Sequence, residues 1–206
     1  MNLLRLAPWL EGTPLKALLV TLLALLSALV LVLAGPACAQ TGARLLPAQS
    51  EIVFISKQMG VPVDGRFKRF DAQLAFDPKA PAAGQVTVRI DLSSVEIGAD
   101  AEAELAKPGW FDSARVPTAT FQSTRIKPAG PGRLDVAGKL AIKGIAHDAV
   151  VPVTLTQAGG ITTASGAFAL KRLDYKIGDG EWGDTSLVAD DVQVKFRLAF
   201  SGVAAP

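Results

Sequence analysis

The chain has 206 residues, a formal net charge of +2 and one cysteine, Cys38. This length suits a single domain with a full hydrophobic core. The near-neutral charge argues against nucleic-acid binding, which needs clustered basic residues. One cysteine allows neither a disulfide within the chain nor a site built from several thiolate ligands.

The first 39 residues are typical of a secretory signal peptide. Arg5 and Lys16 precede an uncharged apolar run at residues 17–34 (ALLVTLLALLSALVLVLA), and small residues ending in Ala37-Cys38-Ala39 follow. A basic start, an apolar middle and an A-x-A end are the three parts of such a signal. We therefore expect cleavage after residue 39, a mature domain at residues 40–206 and a periplasmic location. The apolar run is also long enough for an uncleaved membrane anchor.

Alternation of apolar and polar residues predicts β-strands through most of the remaining chain. The clearest run lies at residues 192–200 (VQVKFRLAF), where every second residue is apolar. Glycine and proline clusters separate the runs, as expected of turns. The pattern predicts about eight strands, at residues 51–59, 61–77, 85–92, 117–127, 133–143, 147–157, 162–174 and 190–201.

One stretch between the strands favours a helix, residues 100–107 (DAEAELAK), which Pro108-Gly109 would end. A second short turn is predicted at residues 110–114. Eight antiparallel strands indicate a sandwich or a closed barrel, between which periodicity does not choose. A closed barrel of this size is filled by side chains or holds one small ligand. Gly65 interrupts a strand, where glycine marks a bulge, a bend or a close approach, and we expect an unusual backbone conformation there.

Few residues suggest catalysis. His147 is the single histidine, and it lacks the companions that a catalytic triad or a metal site needs, so we expect a local hydrogen bond at a turn or strand edge. Residues 178–183 (GDGEWG) match G-x-G-x-x-G by letters, but a strand follows where a dinucleotide site needs a helix. We interpret this loop as solvated and acidic, with a weak calcium site from Asp179, Glu181 and Asp184 as the alternative. We predict no catalytic residue, metal or cofactor.

The aromatic residues are the candidate binding residues. An ordinary core accounts for at least half of them, and the others could line an apolar cavity in which a few polar groups fix a ligand head. Sequence alone does not divide the two groups. The candidates for the lining are Phe54, Phe67, Phe70, Phe76, Trp110, Phe111, Phe121, Phe168 and Trp182.

Several stretches in order along the chain carry a family resemblance. They are residues 63–71 (VDGRFKRFD) with 76–78 (FDP), 88–95 (VRIDLSSV), 110–112 (WFD) with 117–124 (PTATFQST), 138–144 (GKLAIKG) and 150–153 (VVPV). Together they resemble the YceI-like family of polyisoprenoid-binding proteins over nearly the whole mature chain.

The resemblance implies an all-β fold, an eight-stranded antiparallel lipocalin-like barrel with one short helical connection. It also implies that the barrel holds an isoprenoid chain, and lipid-like quinones are ligands in parts of the family. No enzymatic activity comes with it. Gln58 stands where many relatives have histidine, and Ala101-Glu102 where an Arg-Asp pair is common. Both departures remove groups that could contact a ligand head.

We therefore expect a periplasmic protein, a monomer or homodimer, that sequesters or carries an isoprenoid or other long-chain lipid and contacts membranes transiently. The bound molecule would be a polyprenyl or isoprenoid-quinone-like chain. One alternative is a filled barrel whose rim binds a membrane electron-transfer or envelope-stress component without lipid. Another is an enzyme acting on a lipid, which would need a proton-transfer group beyond His147.

Overall fold

The computed structural model describes residues 42–204, which form eleven strands and one α-helix; the predicted signal peptide and Cys38 lie outside these residues. The strands are short at the start of the chain and reach 14 residues in β9. The elements are β1 (Arg44–Leu45), β2 (Glu51–Gln58), β3 (Val61–Phe67), β4 (Phe70–Ala75), β5 (Gln85–Asp91), β6 (Val95–Glu96), α1 (Ala99–Leu105), β7 (Thr118–Gly130), β8 (Arg133–Ile142), β9 (Ile145–Ala158), β10 (Ile161–Lys171) and β11 (Asp191–Ser201).

All strands belong to one antiparallel sheet, which curls into a barrel-like shape. Its order is β4–β5–β7–β8–β9–β10–β11–β2–β3–β6, with β1 paired to β11. The order begins at β4 and ends at the pair of β3 with β6. These two ends are close in space, because only Lys68 and Arg69 separate β3 from β4. Two backbone hydrogen bonds join the residues between β3 and β4 to the segment between β5 and β6. Lys68 N–H donates to the Ser94 carbonyl at 3.0 Å, and Asp91 N–H donates to the Arg69 carbonyl at 3.0 Å.

The expected count of eight strands is corrected to eleven. The predicted strand at residues 61–77 divides into β3 and β4, and the short strands β1 and β6 were not predicted. Side-chain hydrogen bonds stabilise the interruption between β3 and β4. Ser94 Oγ accepts the Arg69 N–H at 3.0 Å, and the Asp91 carboxylate accepts hydrogen bonds from Ser93 and Arg69. The hydrogen bonds that the Asp91 carboxylate accepts lower its pKa, and the bond from the Ser93 side chain has the largest effect. Alternation cannot reveal such a break, because apolar spacing continues across it.

The helix that the sequence predicts at residues 100–107 is present as α1, and turns follow it at residues 108–111 and 113–115. Within residues 42–204 no helix is long and apolar enough to cross a membrane. The largest cluster of buried residues lies between the sheet and the segments that follow α1 and β10. It contains Leu92, Val95, Trp110, Phe111, Ala119, Leu140, Ile142, Tyr175, Ile177 and Val188.

Candidate functional site

The curled sheet encloses an apolar cavity of about 540 Å³, which we call the main cavity. This volume falls in the range of small-molecule binding sites, about 300–1,000 Å³. Strands β2, β3, β5, β7, β8, β10 and β11 contribute inward side chains. The rest of the wall includes α1, the β2–β3 turn, the segment between α1 and β7, and the β10–β11 loop. A second, narrow cavity of about 130 Å³ adjoins it. The two share Ile52, Ile90, Leu140, Phe168 and Val194.

Most of the nine aromatic candidates lie on these two cavities. Six line the main cavity: Phe54, Phe67, Trp110, Phe111, Phe168 and Trp182. The narrow cavity is lined by Phe76, Phe121 and again Phe168. Phe70 lines neither of them and packs instead against the buried cluster around Leu45 and Phe200.

The aromatic rings of the main cavity contact one another in tilted pairs. The Phe54 and Phe67 ring centroids are 5.6 Å apart, and those of Phe67 and Phe111 are 6.1 Å apart. Trp110 and Trp182 form a separate pair at 5.8 Å. These distances are those of favourable aromatic pairs. A row of three phenylalanines therefore forms part of the wall, with the tryptophan pair elsewhere in the lining.

Much of the remaining wall is aliphatic, and sequence reasoning did not assign it. Ile90, Leu140 and Leu170, for example, line the main cavity from three different strands. Their inward orientation follows from the alternation in each strand. That pattern is the same for a residue that fills a core and for one that borders an empty space, so it does not mark a binding wall.

The main cavity opens between three segments: the β2–β3 turn, α1 and the β10–β11 loop. Met59, Trp182 and Leu187 line it and are nevertheless 76%, 39% and 43% exposed. The turn and the loop are joined, because Met59 N–H donates to the Leu187 carbonyl at 2.8 Å. Gln58 and Ala101, the two departures from the family pattern, also lie on the lining. The mouth is thus bordered by exposed apolar side chains.

Arg172 is a buried cation in this wall, and sequence reasoning missed it. It is 2% exposed, and its guanidinium donates to five backbone carbonyls of the β10–β11 loop. The distances from a guanidinium nitrogen to the carbonyl oxygen are 3.1 Å for Ala189, 2.9 Å for Ile177, 2.5 Å for Gly178, 2.7 Å for Trp182 and 2.7 Å for Val188. Burial lowers the pKa of Arg172. The sequence did contain a sign that Arg172 is buried, because Arg172 lies two residues after Leu170 and four after Phe168, on the side of the strand that faces the cavity.

His147 lies outside both cavities, on the exposed side of β9. Its Nε2 is 3.1 Å from the carbonyl oxygen of Asp174, and its ring meets that of Tyr175 edge-on at 4.9 Å. Burial raises the pKa of Tyr175. The expected local hydrogen bond at a turn or strand edge is therefore wrong, because His147 lies within β9 and its partner is 27 residues away in the β10–β11 loop. Among residues 42–204, no group of three or more His, Cys, Asp or Glu side chains is arranged to hold a metal ion.

Comparison with known protein families agrees with this architecture. A model of the YceI-like domain matches residues 44–200, most of the chain. The chain belongs to the YceI-like family. Curated relatives include protein YceI of Escherichia coli O157:H7, 39% identical over 92 residues, and a UPF0312 protein of Vibrio cholerae, 31% identical over 114 residues. The matched segments span 44% and 54% of this YceI-like chain, and only 46% and 60% of those relatives.

Solved structures extend the likeness to the fold. BcnA of Burkholderia cenocepacia is 44% identical, with a TM-score of 0.73 over 75% of this chain and 98% of its own. A polyisoprenoid binding domain from Saccharophagus degradans is 20% identical, with a TM-score of 0.62 over 80% of this chain and 98% of its own. At that identity the second likeness shows the fold alone.

Proposed function

We propose that this YceI-like protein binds an isoprenoid lipid, a polyprenyl or isoprenoid-quinone-like chain, and sequesters or carries it in the periplasm. The main cavity is the observation that supports this most strongly, because its wall is almost entirely apolar and open at one end. Each buried CH₂ group contributes about 0.8 kcal/mol, so a long chain gains much affinity without specific contacts. The fold that it shares with a polyisoprenoid binding domain supports the same class of ligand.

Binding rather than catalysis fits the side chains of the cavity. General acid–base chemistry needs a group that can exchange a proton near the bound molecule. The charged residues of the lining are Glu104 and Arg172. Glu104 is paired with Lys107 and has no second acid or base beside it in the described lining, and the donors of Arg172 are committed to backbone carbonyls. His147 lies outside the lining. We therefore propose a carrier or buffer of lipid and not an enzyme.

The exposed rim suggests how a lipid enters. Met59, Leu187 and Trp182 present apolar surface at the mouth, and tryptophan is enriched where proteins meet the membrane surface. We propose that this rim contacts a bilayer transiently, so that a chain passes into the cavity without crossing water. Met59→Asp should lower binding to phosphatidylcholine vesicles, whereas Val150→Asp, at a valine that is 64% exposed and lies outside both cavities, should not.

Native mass spectrometry of the protein purified from its own cell envelope tests the proposed ligand. We expect a non-covalent adduct that organic extraction removes and that fragments as an isoprenoid. The extracted protein should also take up an added isoprenoid quinone. A protein that carries no adduct and takes up no quinone would contradict the proposal and favour the filled-barrel alternative.

A further inference from the structure

The polar side chains of the main cavity restrict the head group that a bound lipid can carry. Apart from two tryptophans, four lining residues have polar side chains: Ser56, Gln58, Glu104 and Arg172. Two of these are neutral, one is a carboxylate and one is a guanidinium. The charge that a ligand head meets depends on which of the two ionised groups can interact with it.

Arg172 has no donor left for an anion. A guanidinium has five N–H donors, and those of Arg172 are matched by five backbone carbonyls between Ile177 and Ala189. The residue is 2% exposed. A phosphate could recruit it only by taking a donor from a buried carbonyl, which is unfavourable because a buried acceptor would then be unpaired.

Glu104 is the ionised group that remains at the mouth. It lies on α1, is half-buried and forms an ion pair with Lys107, whose side chain is 61% exposed and outside the lining. A phosphate placed beside Glu104 would meet a like charge. The single positive charge of Lys107 is already balanced by Glu104, so a phosphate beside this pair would add uncompensated negative charge.

Neutral oxygen atoms suit the other polar groups. The Gln58 amide and the Ser56 hydroxyl can each donate and accept hydrogen bonds. The indole N–H of Trp110 is buried and has no hydrogen-bond partner within the described part of the chain. Because that nitrogen is not exposed to the cavity, the Gln58 and Ser56 side chains are the neutral polar groups that a ligand head can reach.

We infer that the main cavity selects lipids with an uncharged, oxygen-bearing head, such as an alcohol or a quinone, over the same chain with a phosphate or diphosphate head. Glu104 is the residue that sets this preference. The inference rests on the proposed function, because it assumes that an isoprenoid chain occupies the main cavity.

Geranylgeraniol and geranylgeranyl diphosphate test it, since they share one chain and differ only in the head. Quenching of tryptophan fluorescence in delipidated protein gives a dissociation constant for each, because Trp110 and Trp182 line the cavity. We expect the alcohol to bind at least about tenfold more tightly, as a like-charge contact opposes the diphosphate. Equal binding, or tighter binding of the diphosphate, overturns the inference and leaves lipid binding intact. Binding of neither compound contradicts the proposed function itself.

Two variants test whether Glu104 causes the preference for an uncharged head. Glu104→Gln should bring the dissociation constants of the alcohol and the diphosphate closer together by improving the binding of the diphosphate. Glu51→Gln is the matched control, because Glu51 also forms an ion pair, with Arg197, but lies outside both cavities. It should leave the ratio of the two dissociation constants unchanged. A ratio that Glu104→Gln does not change, or that both variants change equally, overturns the role of Glu104.

Discussion

The ring of Phe54 lies over the backbone of Gly65, its partner across the β2–β3 pair. A Cβ atom at Gly65 would be 2.2 Å from Cζ of that ring. The register of β2 with β3 is continuous here, and Gly65 is not among the glycines with positive φ. The expected unusual backbone conformation is therefore wrong. The glycine is needed because the aromatic ring approaches closely, and that ring forms part of the cavity wall.

Gly65→Val should destabilise the protein by at least about 1 kcal/mol, because the new side chain forces the Phe54 ring from its position. Chemical denaturation of the variant measures the change in the free energy of unfolding. Phe54→Ala should reduce the cost of Gly65→Val, since the two residues are in contact and their effects should not add. An unchanged free energy of unfolding, or fully additive costs, would remove this explanation.

Arg172→Met should lower the free energy of unfolding by about 3 kcal/mol or more, since five carbonyls would lose their donor in a buried loop. Arg172→Lys should recover only part of this loss, because an ammonium has three donors in place of five. Arg197→Met is the control: its exposed pair with Glu51 should contribute less than about 1 kcal/mol. Similar costs at the two arginines would show that the carbonyl contacts of Arg172 add little.

Trp110→Phe should lower the free energy of unfolding of the lipid-free protein by clearly less than Trp110→Ala, because it keeps an aromatic ring in the buried site and loses an indole N–H that makes no hydrogen bond. Trp110→Ala should cost about 3 kcal/mol or more, because the ring itself is buried. Thermal or chemical unfolding of both variants checks this. A loss in Trp110→Phe as large as that in Trp110→Ala would contradict this account.

Strand positions were predictable from sequence because alternation directly reflects an inward and an outward face. The predicted strand at residues 190–201 and the observed β11, Asp191–Ser201, differ by one residue. The break at Lys68-Arg69 was not predictable, because it depends on hydrogen bonds that Arg69 donates to Ser94 and Asp91, which are distant in sequence.

The cavity was predictable only in part. Aromatic content pointed to Phe67 and Trp182, which line the main cavity, but also to Phe70, which lies outside it. Whether an inward side chain fills the interior or borders a space depends on how the whole sheet curls. Arg172 was missed because an arginine in a strand is normally taken as solvent-exposed, and only the folded loop supplies the carbonyls that bury it.

Lipid content in three variants tests the central claim most directly. Phe67 lines the main cavity, Phe121 lines the narrow one and His147 lines neither. Phe67→Glu and Phe121→Glu place an unpaired charge where a chain would lie, which is costly, whereas His147→Ala leaves both cavities unaltered. We expect quantitative extraction and mass spectrometry to find the two glutamate variants largely empty and His147→Ala loaded like the wild type, with circular dichroism verifying that all three fold. Equal lipid content in the three folded variants, or loss of lipid in His147→Ala alone, would contradict the account.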